Sequence, residues 1–397
     1  MNAAPTGTSR VLVVNCGSSS LKYRLVEPET ARVIGGGIVD RLTGEDAVLV
    51  HDGEKTPLGR CDHGGALRAV MAAFERSGHP LDGEGVVAVG HRVVHGGATF
   101  HTPVVIDDAV IAEIERIVPL APLHNPAHLL GIRTAMAELP SVPHVAVFDT
   151  AFHMTIPPAA ATYAVPQQWR EELGVRRYGF HGTSYAYVSR ETARLLDRPV
   201  EDTNSIVLHL GNGASVCAVR AGRSVDTSMG LTPLQGLVMG TRSGDVDPAL
   251  SAYLQREAGL DAVTVEEALN RRSGMLGLTG ASDLREIEQR SEDGDETADL
   301  ALEIYAYRIR LYIGAYLAAL GRVDAISFTA GVGENSPDIR GRTLRGLENL
   351  GIELDEGLNT SGRGARKISA ASSKVAVLVV PTDEEREIAR QALTLVG

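Results

Sequence analysis

The sequence is short of cysteine, of positive charge and of long apolar runs, and each shortage narrows what the chain can be. Its three cysteines, Cys16, Cys61 and Cys217, form neither a CxxC pair nor an even set. That excludes a disulfide framework or a zinc finger and points to a reducing cytoplasm. Lys and Arg number 38 against 50 Asp and Glu, a formal net charge of −12. So acidic a chain is not a general nucleic-acid binder, which would need a basic surface to displace counterions. Any anionic ligand must instead meet a local basic cluster. No run approaches the length of a bilayer-spanning helix, and the stretch from Met1 to Arg10 lacks the apolar core of a secretion signal. That stretch reads as a short flexible tail, and no membrane partner is expected. The phosphate-binding pattern GxxxxGK[ST] is also missing, and no solenoid repeat is visible.

What is present is the composition of a globular chain too long for one core. At 397 residues, 44% hydrophobic and with 43 glycines, it predicts two domains joined by many turns. Apolar β-branched runs alternate with helical stretches, the signature of an α/β fold. Val11 to Val14 and Leu21 to Val26 read as strands around a Gly/Ser turn. Val86 to Val89, Val145 to Phe148, Ile206 to Leu210, Ala325 to Thr329 and Val375 to Val380 read as further strands. A helix capped by Thr183 or Ser184 is expected to end near Asp197 and Pro199. A longer one, Ala298 to Leu320, carries Leu300, Ile304, Tyr307 and Leu311 at helical spacing, with Gly321 to stop it. Strand, glycine turn, strand recurs at Val13 to Tyr23 and at Leu208 to Val219, which predicts two related halves.

Several turns carry side chains suited to anion chemistry. Asn15-Cys16-Gly17-Ser18-Ser19-Ser20-Leu21-Lys22 combines backbone N–H groups, hydroxyls and one lysine, although a polar hairpin turn explains it equally well. His209-Leu210-Gly211-Asn212-Gly213 is a second glycine turn after an apolar strand, and Asn-Gly alone is also the commonest hairpin signal. Gly331-Val332-Gly333-Glu334-Asn335 follows a strand, with Glu353 about twenty residues on. That spacing leaves a dinucleotide-binding reading open, weakened by Ser336 in place of a third glycine. Arg92 and Arg242 sit among glycines, where a guanidinium can grip a carboxylate or phosphate, or be an ordinary surface arginine. His181 precedes a predicted helix start, which favours anions. Asp149 ends an apolar strand, and Thr382-Asp383-Glu384-Glu385 follows another. Either could face a metal or merely begin a helix.

Taken together, these segments closely resemble the acetate kinase family, part of the larger group that includes sugar kinases, the heat-shock 70 ATPase domain and actin. NCGSSSLKY, GHRVVHGG, PLHNP, FDTAFH, RYGFHGTSY, HLGNGAS, DTSMGLTPLQGLVMGTRSGDVDP, TAGVGENS and PTDEE occur in family order from residue 15 to residue 385. The resemblance implies an α/β chain of two duplicated actin-like, ribonuclease H-like ATPase domains of βββαβαβα type, with the active site in a cleft between them. Residues 1–150 with 386–397 would form the first domain. Residues 151–385 would form the second, with most contacts of a homodimer. ATP or ADP would lie on His209, Leu210, Gly211, Asn212 and Gly213, on Asp283, Leu284 and Arg285, and on Gly331, Val332, Gly333, Glu334 and Asn335, with Lys22 near the phosphates. Asn15 and Glu384 match the Mg²⁺ positions, with Mn²⁺ as an alternative ion and Glu385 as the neighbouring choice. Arg92 matches the acetate-binding arginine, and Val94, Leu123, Phe180 and Pro233 match the pocket for the methyl group. Asp149 matches an essential aspartate, and His181 and Arg242 match transition-state stabilisers. Leu284 stands where the family pattern leads one to expect an aromatic residue, which predicts looser nucleotide preference.

The implied reaction moves the γ-phosphate of ATP onto acetate, giving acetyl phosphate and ADP. Acetate is ionised at neutral pH and needs no base. The barrier is the approach of two anions, which Arg92, Mg²⁺, His181 and Arg242 would lower. Asp149 would orient Arg92 and metal-bound water rather than accept a proton, and domain closure would exclude water. Two rivals remain at this stage. A propionate or butyrate kinase differs only in pocket volume, where a methylene is worth about 1–3 kcal/mol. An actin- or chaperone-like ATPase would act on protein partners.

Overall fold

In β1 (Arg10–Cys16) the buried apolar residues alternate between two faces, and both faces find a helix. Val11 and Val13 pack against Ile388, Ala389 and Ala392 of the chain's last helix, Glu384–Val396. Leu12 and Val14 meet Ala66, Val70 and Phe74 of the helix His63–Arg76 on the other side. A strand covered on both faces reads as a continuous apolar run, and that is why RVLVVNC is so apolar. Asp62 starts the second of these helices by accepting the Gly65 N–H, a side-chain cap worth about 1 kcal/mol. The computed structural model describes residues 9–81 and 85–397. The flexible tail read from the sequence therefore lies, as far as residue 8, outside the described residues.

The chain folds as two units, Met1–Phe152 with Asp383–Gly397, and His153–Thr382. In the first, β1 forms an antiparallel hairpin with β2 (Ser20–Glu27), closed by the Gly17 N–H donating to the Ser20 carbonyl at 2.7 Å. β3 (Arg32–Asp40), β4 (Ala47–His51) and β5 (Glu54–Gly59) continue the meander, and β6 (Val86–Val93) returns parallel to β1. β7 (Val104–Val105) and β8 (His144–Phe148) complete an eight-stranded sheet of order β5-β4-β3-β2-β1-β6-β8-β7.

The second unit repeats the plan. β9 (Asn204–Leu210), β10 (Ala214–Arg220) and β11 (Arg223–Thr227) form an antiparallel meander, and β12 (Ala325–Thr329) lies parallel to β9. With β13 (Arg366–Lys367) and β14 (Ala376–Val379) the order is β11-β10-β9-β12-β14-β13. Three antiparallel strands followed by two parallel ones, β3-β2-β1-β6-β8, recur as β11-β10-β9-β12-β14. The echo between the two glycine turns is thus the visible part of a duplicated sheet. No helix among the described residues is long and apolar enough to cross a membrane.

Three local expectations need correction. The helix Gly182–Leu195 begins after His181, which holds left-handed backbone (φ 57°), so Thr183 and Ser184 lie inside its first turn and do not cap it. Ser184 bonds His209 and Thr382 instead. In the helix Glu296–Leu320 the stripe Leu300, Tyr307 and Leu311 is exposed, while Leu302, Tyr305, Ile309, Ile313 and Tyr316 are buried. Two faces of this helix are apolar, and periodicity alone does not say which one packs. The dinucleotide reading also fails. After β12 a six-residue helix, Ala330–Asn335, breaks at extended Ser336, and Glu353 bonds Ser372. The sheet's antiparallel half also departs from a doubly wound parallel order.

Candidate active site

In the first unit the chemistry gathers at the ends of the parallel strands β6 and β8. Arg92, one residue before the end of β6, donates Nη2–H to Asp149 Oδ2 at 2.7 Å and Nε–H to both carboxylate oxygens at 3.1 and 3.2 Å. Asp149 follows β8 directly and is 1% exposed, while the arginine side chain is 22% exposed. Such a fork fixes the guanidinium plane and leaves Nη1 and the outer N–H of Nη2 for a second carboxylate. Glu384 Oε2 lies 3.9 Å from Arg92 Nε. Burial opposes the arginine's charge, but Asp149 and then Glu384 outweigh it, so its pKa is raised. Burial pushes the Glu384 carboxyl up. Arg92 opposes that push, and Asp149 and Glu385 add to it.

The first turn of the helix Glu384–Val396 separates the two adjacent acids. Glu384 faces Arg92, while Glu385 lies 3.6 Å from Arg24, which also reaches Asp383 at 3.2 Å. Asn15 and Lys22 pair across the β1–β2 hairpin, Asn15 half-buried and Lys22 exposed. Among the described residues no group of three or more His, Cys, Asp or Glu could hold a metal. Asn15 and Glu384 offer one neutral and one anionic oxygen, beside carboxylates that outnumber the local cations. That set suits Mg²⁺ bound chiefly through substrate phosphates and water. Val94 is buried, whereas Leu123 is 60% exposed. Asn125 was missed from the sequence. Its side chain exchanges hydrogen bonds with the His95 backbone, at 3.3 and 3.1 Å, and so ties the segment carrying Arg92 and Val94 to the one carrying Leu123.

In the second unit, three separate segments converge on the turn between β9 and β10. A Cβ built on Gly213 would stand 3.6 Å from Arg242 Nη1 and 3.7 Å from His181 Nε2, so the guanidinium and the imidazole both border that turn. His181 is aimed there by its Nδ1 bond to Ser215 Oγ at 2.8 Å and by stacking on His209, with ring centroids 4.2 Å apart. Ser215 also bonds Tyr185, and His209 Nδ1 meets Ser184 Oγ at 2.8 Å. Ser184, Tyr185 and Ser215 lay inside motifs that stood out in the sequence, but nothing there showed that their hydroxyls orient the histidines. Arg242 donates to the Pro233 carbonyl at 3.2 Å, and burial lowers its pKa. Asn212 is positioned by close approach to Gly240, where a Cβ would come within 2.0 Å of Asn212 Oδ1.

The remaining positions fall nearby or apart. Ala330, left-handed at φ 65°, abuts Gly211 and so joins residues 331–335 to residues 209–213. Glu334 Oε1 accepts the N–H groups of Ala330 and Thr382. Asp283 caps the helix Leu284–Glu292 and pairs with exposed Arg285 at 2.6 Å, while Leu284 is buried at the first helical position. Phe180 is buried beside His181, and Pro233 is half-buried.

The profile of the acetokinase family matches residues 10–390. An acetate kinase of Streptomyces coelicolor is 55% identical over 397 residues, covering 98% of each chain. An acetate kinase of Leifsonia xyli is 54% identical and covers 98% of this chain and 99% of its own. Among solved structures, the acetate kinase of Porphyromonas gingivalis superposes with a TM-score of 0.93 at 44% identity, covering 98% of this chain and all of that one. A propionate kinase of Francisella tularensis gives 0.92 at 40% identity, covering 97% and 99%. The chain belongs to the acetokinase family.

Proposed function

We propose that this enzyme is an ATP:acetate phosphotransferase (EC 2.7.2.1), reversibly transferring the γ-phosphate of ATP to acetate with Mg²⁺ as the ion. The observation that carries the reading is the pair of cationic settings: Arg92 forked onto buried Asp149, and His181 with Arg242 at the Gly213 turn. Arg92 presents its outer edge to the acetate carboxylate. Asp149 holds that edge in place and is already committed to a cation, which supports an orienting role over proton transfer. His181 and Arg242 offer fixed donors for charge on the transferring phosphoryl group, where preorganised donors are worth most. Asn15 and Glu384 would hold Mg²⁺, which supplies charge neutralisation of the nucleotide phosphates. Lys22 adds positive charge near them.

Residues 209–213, 283–285 and 331–335 are assigned to ATP, and Val94, Leu123, Phe180 and Pro233 to the acetate methyl. Buried Leu284 offers less face to a base than an aromatic side chain would, which supports a relaxed nucleotide preference. Acetate is favoured over propionate because six full-length relatives at 53–55% identity are all named acetate kinase, above the 40% of the propionate kinase. The exposed stripe Leu300, Tyr307 and Leu311 supports self-association as a homodimer, to be read by sedimentation. Trapping the acyl phosphate with hydroxylamine tests the activity. Acyl hydroxamate should form from ATP and acetate faster than from propionate or butyrate. ATP hydrolysis without hydroxamate would refute the proposal.

A further inference from the structure

A second basic pocket lies in the unit His153–Thr382, where the C-terminal end of the helix Ala330–Asn335 faces the loop of residues 359–366. Its cavity is about 490 Å³ and is lined by Arg340, Arg363 and Arg366 together with Glu334, Asn335 and Asn359. Arg340 is 1% exposed and fully engaged. Nε and Nη2 donate to the Asn359 side chain and carbonyl at 2.8 Å, and Nη1 to the Gly333 and Glu334 carbonyls at 2.9 and 3.1 Å. These partners are neutral. Burial, and after it the charge of Arg366, push the Arg340 pKa down to about 10, and Glu288, which acts on the charge from beyond ion-pair distance, opposes that push only in part.

Arg342 nearby is paired with three acids, Asp299, Glu303 and Asp338. Among the described residues, Arg340, Arg363 and Arg366 have no carboxylate within ion-pair distance. The only acid in the lining is Glu334, whose Oε1 accepts the N–H groups of Ala330 and Thr382. Arg366 donates Nη1–H to the Gly364 carbonyl at 3.1 Å, and its buried Nε–H has no protein partner. The loop is shaped for this arrangement. At Gly362 (φ 81°) a Cβ would press to 3.2 Å from Arg366 Cδ and 3.5 Å from Nε, so a glycine there lets the guanidinium lie against the backbone.

We propose that this pocket binds a small phosphate-bearing anion, held by Arg363 and Arg366 against the fixed charge of Arg340. A phosphate group carries about −1.5 to −2 at neutral pH and accepts several charge-assisted bonds, which matches guanidinium donors that lack a counter-ion. The pocket adjoins the site assigned to ATP and shares Glu334 and Asn335 with it, while Arg340, Arg363 and Arg366 lie outside that assignment. The ATP assignment reaches the pocket only through residues at the end of the helix Ala330–Asn335, and a saturating ATP analogue therefore separates the two.

The test is isothermal titration of the full chain with inorganic phosphate, in the presence of Mg²⁺ and a saturating non-hydrolysable ATP analogue. Phosphate should still bind, and Arg363→Ala and Arg366→Ala should each weaken it about tenfold or more. Arg363 is exposed, so its removal leaves the fold intact, which a thermal melt would verify. Absence of binding at millimolar phosphate, displacement by the ATP analogue, or unchanged affinity in Arg363→Ala would each overturn the proposal.

Discussion

Replacing Asp149 by Asn separates the orienting role from proton transfer. The carboxylate is 1% exposed and holds Arg92, 22% exposed, through bonds of 2.7 to 3.2 Å. Removing one partner of a buried ion pair costs about 3–5 kcal/mol. Partial solvation of Arg92 brings this to the low end, and the Asn carbonyl returns about 1 kcal/mol by accepting one N–H. The remaining ~2 kcal/mol loosens the guanidinium and corresponds to a rise of about thirtyfold in KM for acetate. Initial hydroxamate rates against acetate concentration, from pH 6 to 8, give KM and kcat separately. In an Arg92→Ala background the same substitution should add little, because the two residues act as one unit. If KM holds while kcat collapses and the acid limb of the pH profile disappears, Asp149 accepts a proton and the orienting role is wrong.

Arg242→Ala removes a fixed donor beside Gly213 and should lower kcat on the order of a hundred- to thousand-fold with smaller changes in KM, measured by the same assay. Gly240→Ala places a methyl within 2.0 Å of Asn212 Oδ1. Because Asn212 is exposed and can swing away, the thermal midpoint should hold while KM for ATP rises and KM for acetate does not. Acid should destabilise the protein well above the carboxylate range. Burial holds His95 and His153 down to about 4 and His128 down to about 3, whereas the unfolded chain takes up these protons near 6.5. The folded state therefore binds fewer protons, and between pH 7 and 5 each histidine withdraws about 2 kcal/mol of stability. Glu288 and Glu334, raised by burial, offset part of it. Equal urea midpoints at the two pH values would contradict this.

The turns were legible because a Gly- or Ser-rich gap between two β-branched runs has few other solutions, and β1–β2 and β9–β10 fall where those runs lie. The sheet order was not legible, since pairing β1 with β6 or β9 with β12 joins strands far apart in sequence. Local pattern also failed where two answers fit it equally, as in the choice of buried face in Glu296–Leu320. It failed again at His181, whose left-handed backbone is costly for a residue with a Cβ and is held here by Ser215 and His209. Nothing in the neighbourhood of His181 in sequence announces Ser215. The cationic residues could be picked out by type and glycine context, but their partners were set by tertiary structure.

The duplicated strand order explains why chemistry gathers at such distant points of the chain. In open α/β sheets ligands collect beyond the carboxyl ends of parallel strands, where the chain leaves the sheet and side chains are free to converge. Each unit has three parallel strands and so two such pairs of adjacent ends. In the first, β6 and β8 deliver Arg92 and Asp149, charged side chains on short tethers. In the second, β12 leads into residues 331–335 and β14 into Thr382, whose N–H meets Glu334 across the gap. There the strand ends offer backbone groups and small residues, and the imidazole of His181 and the guanidinium of Arg242 arrive from outside the sheet. One topology thus yields two settings of different character, a guanidinium forked onto a buried carboxylate in the first unit and a glycine turn bordered by Arg242 and His181 in the second. In a chain of net charge −12, such local placement of a few cations is what the proposed handling of two negatively charged substrates requires.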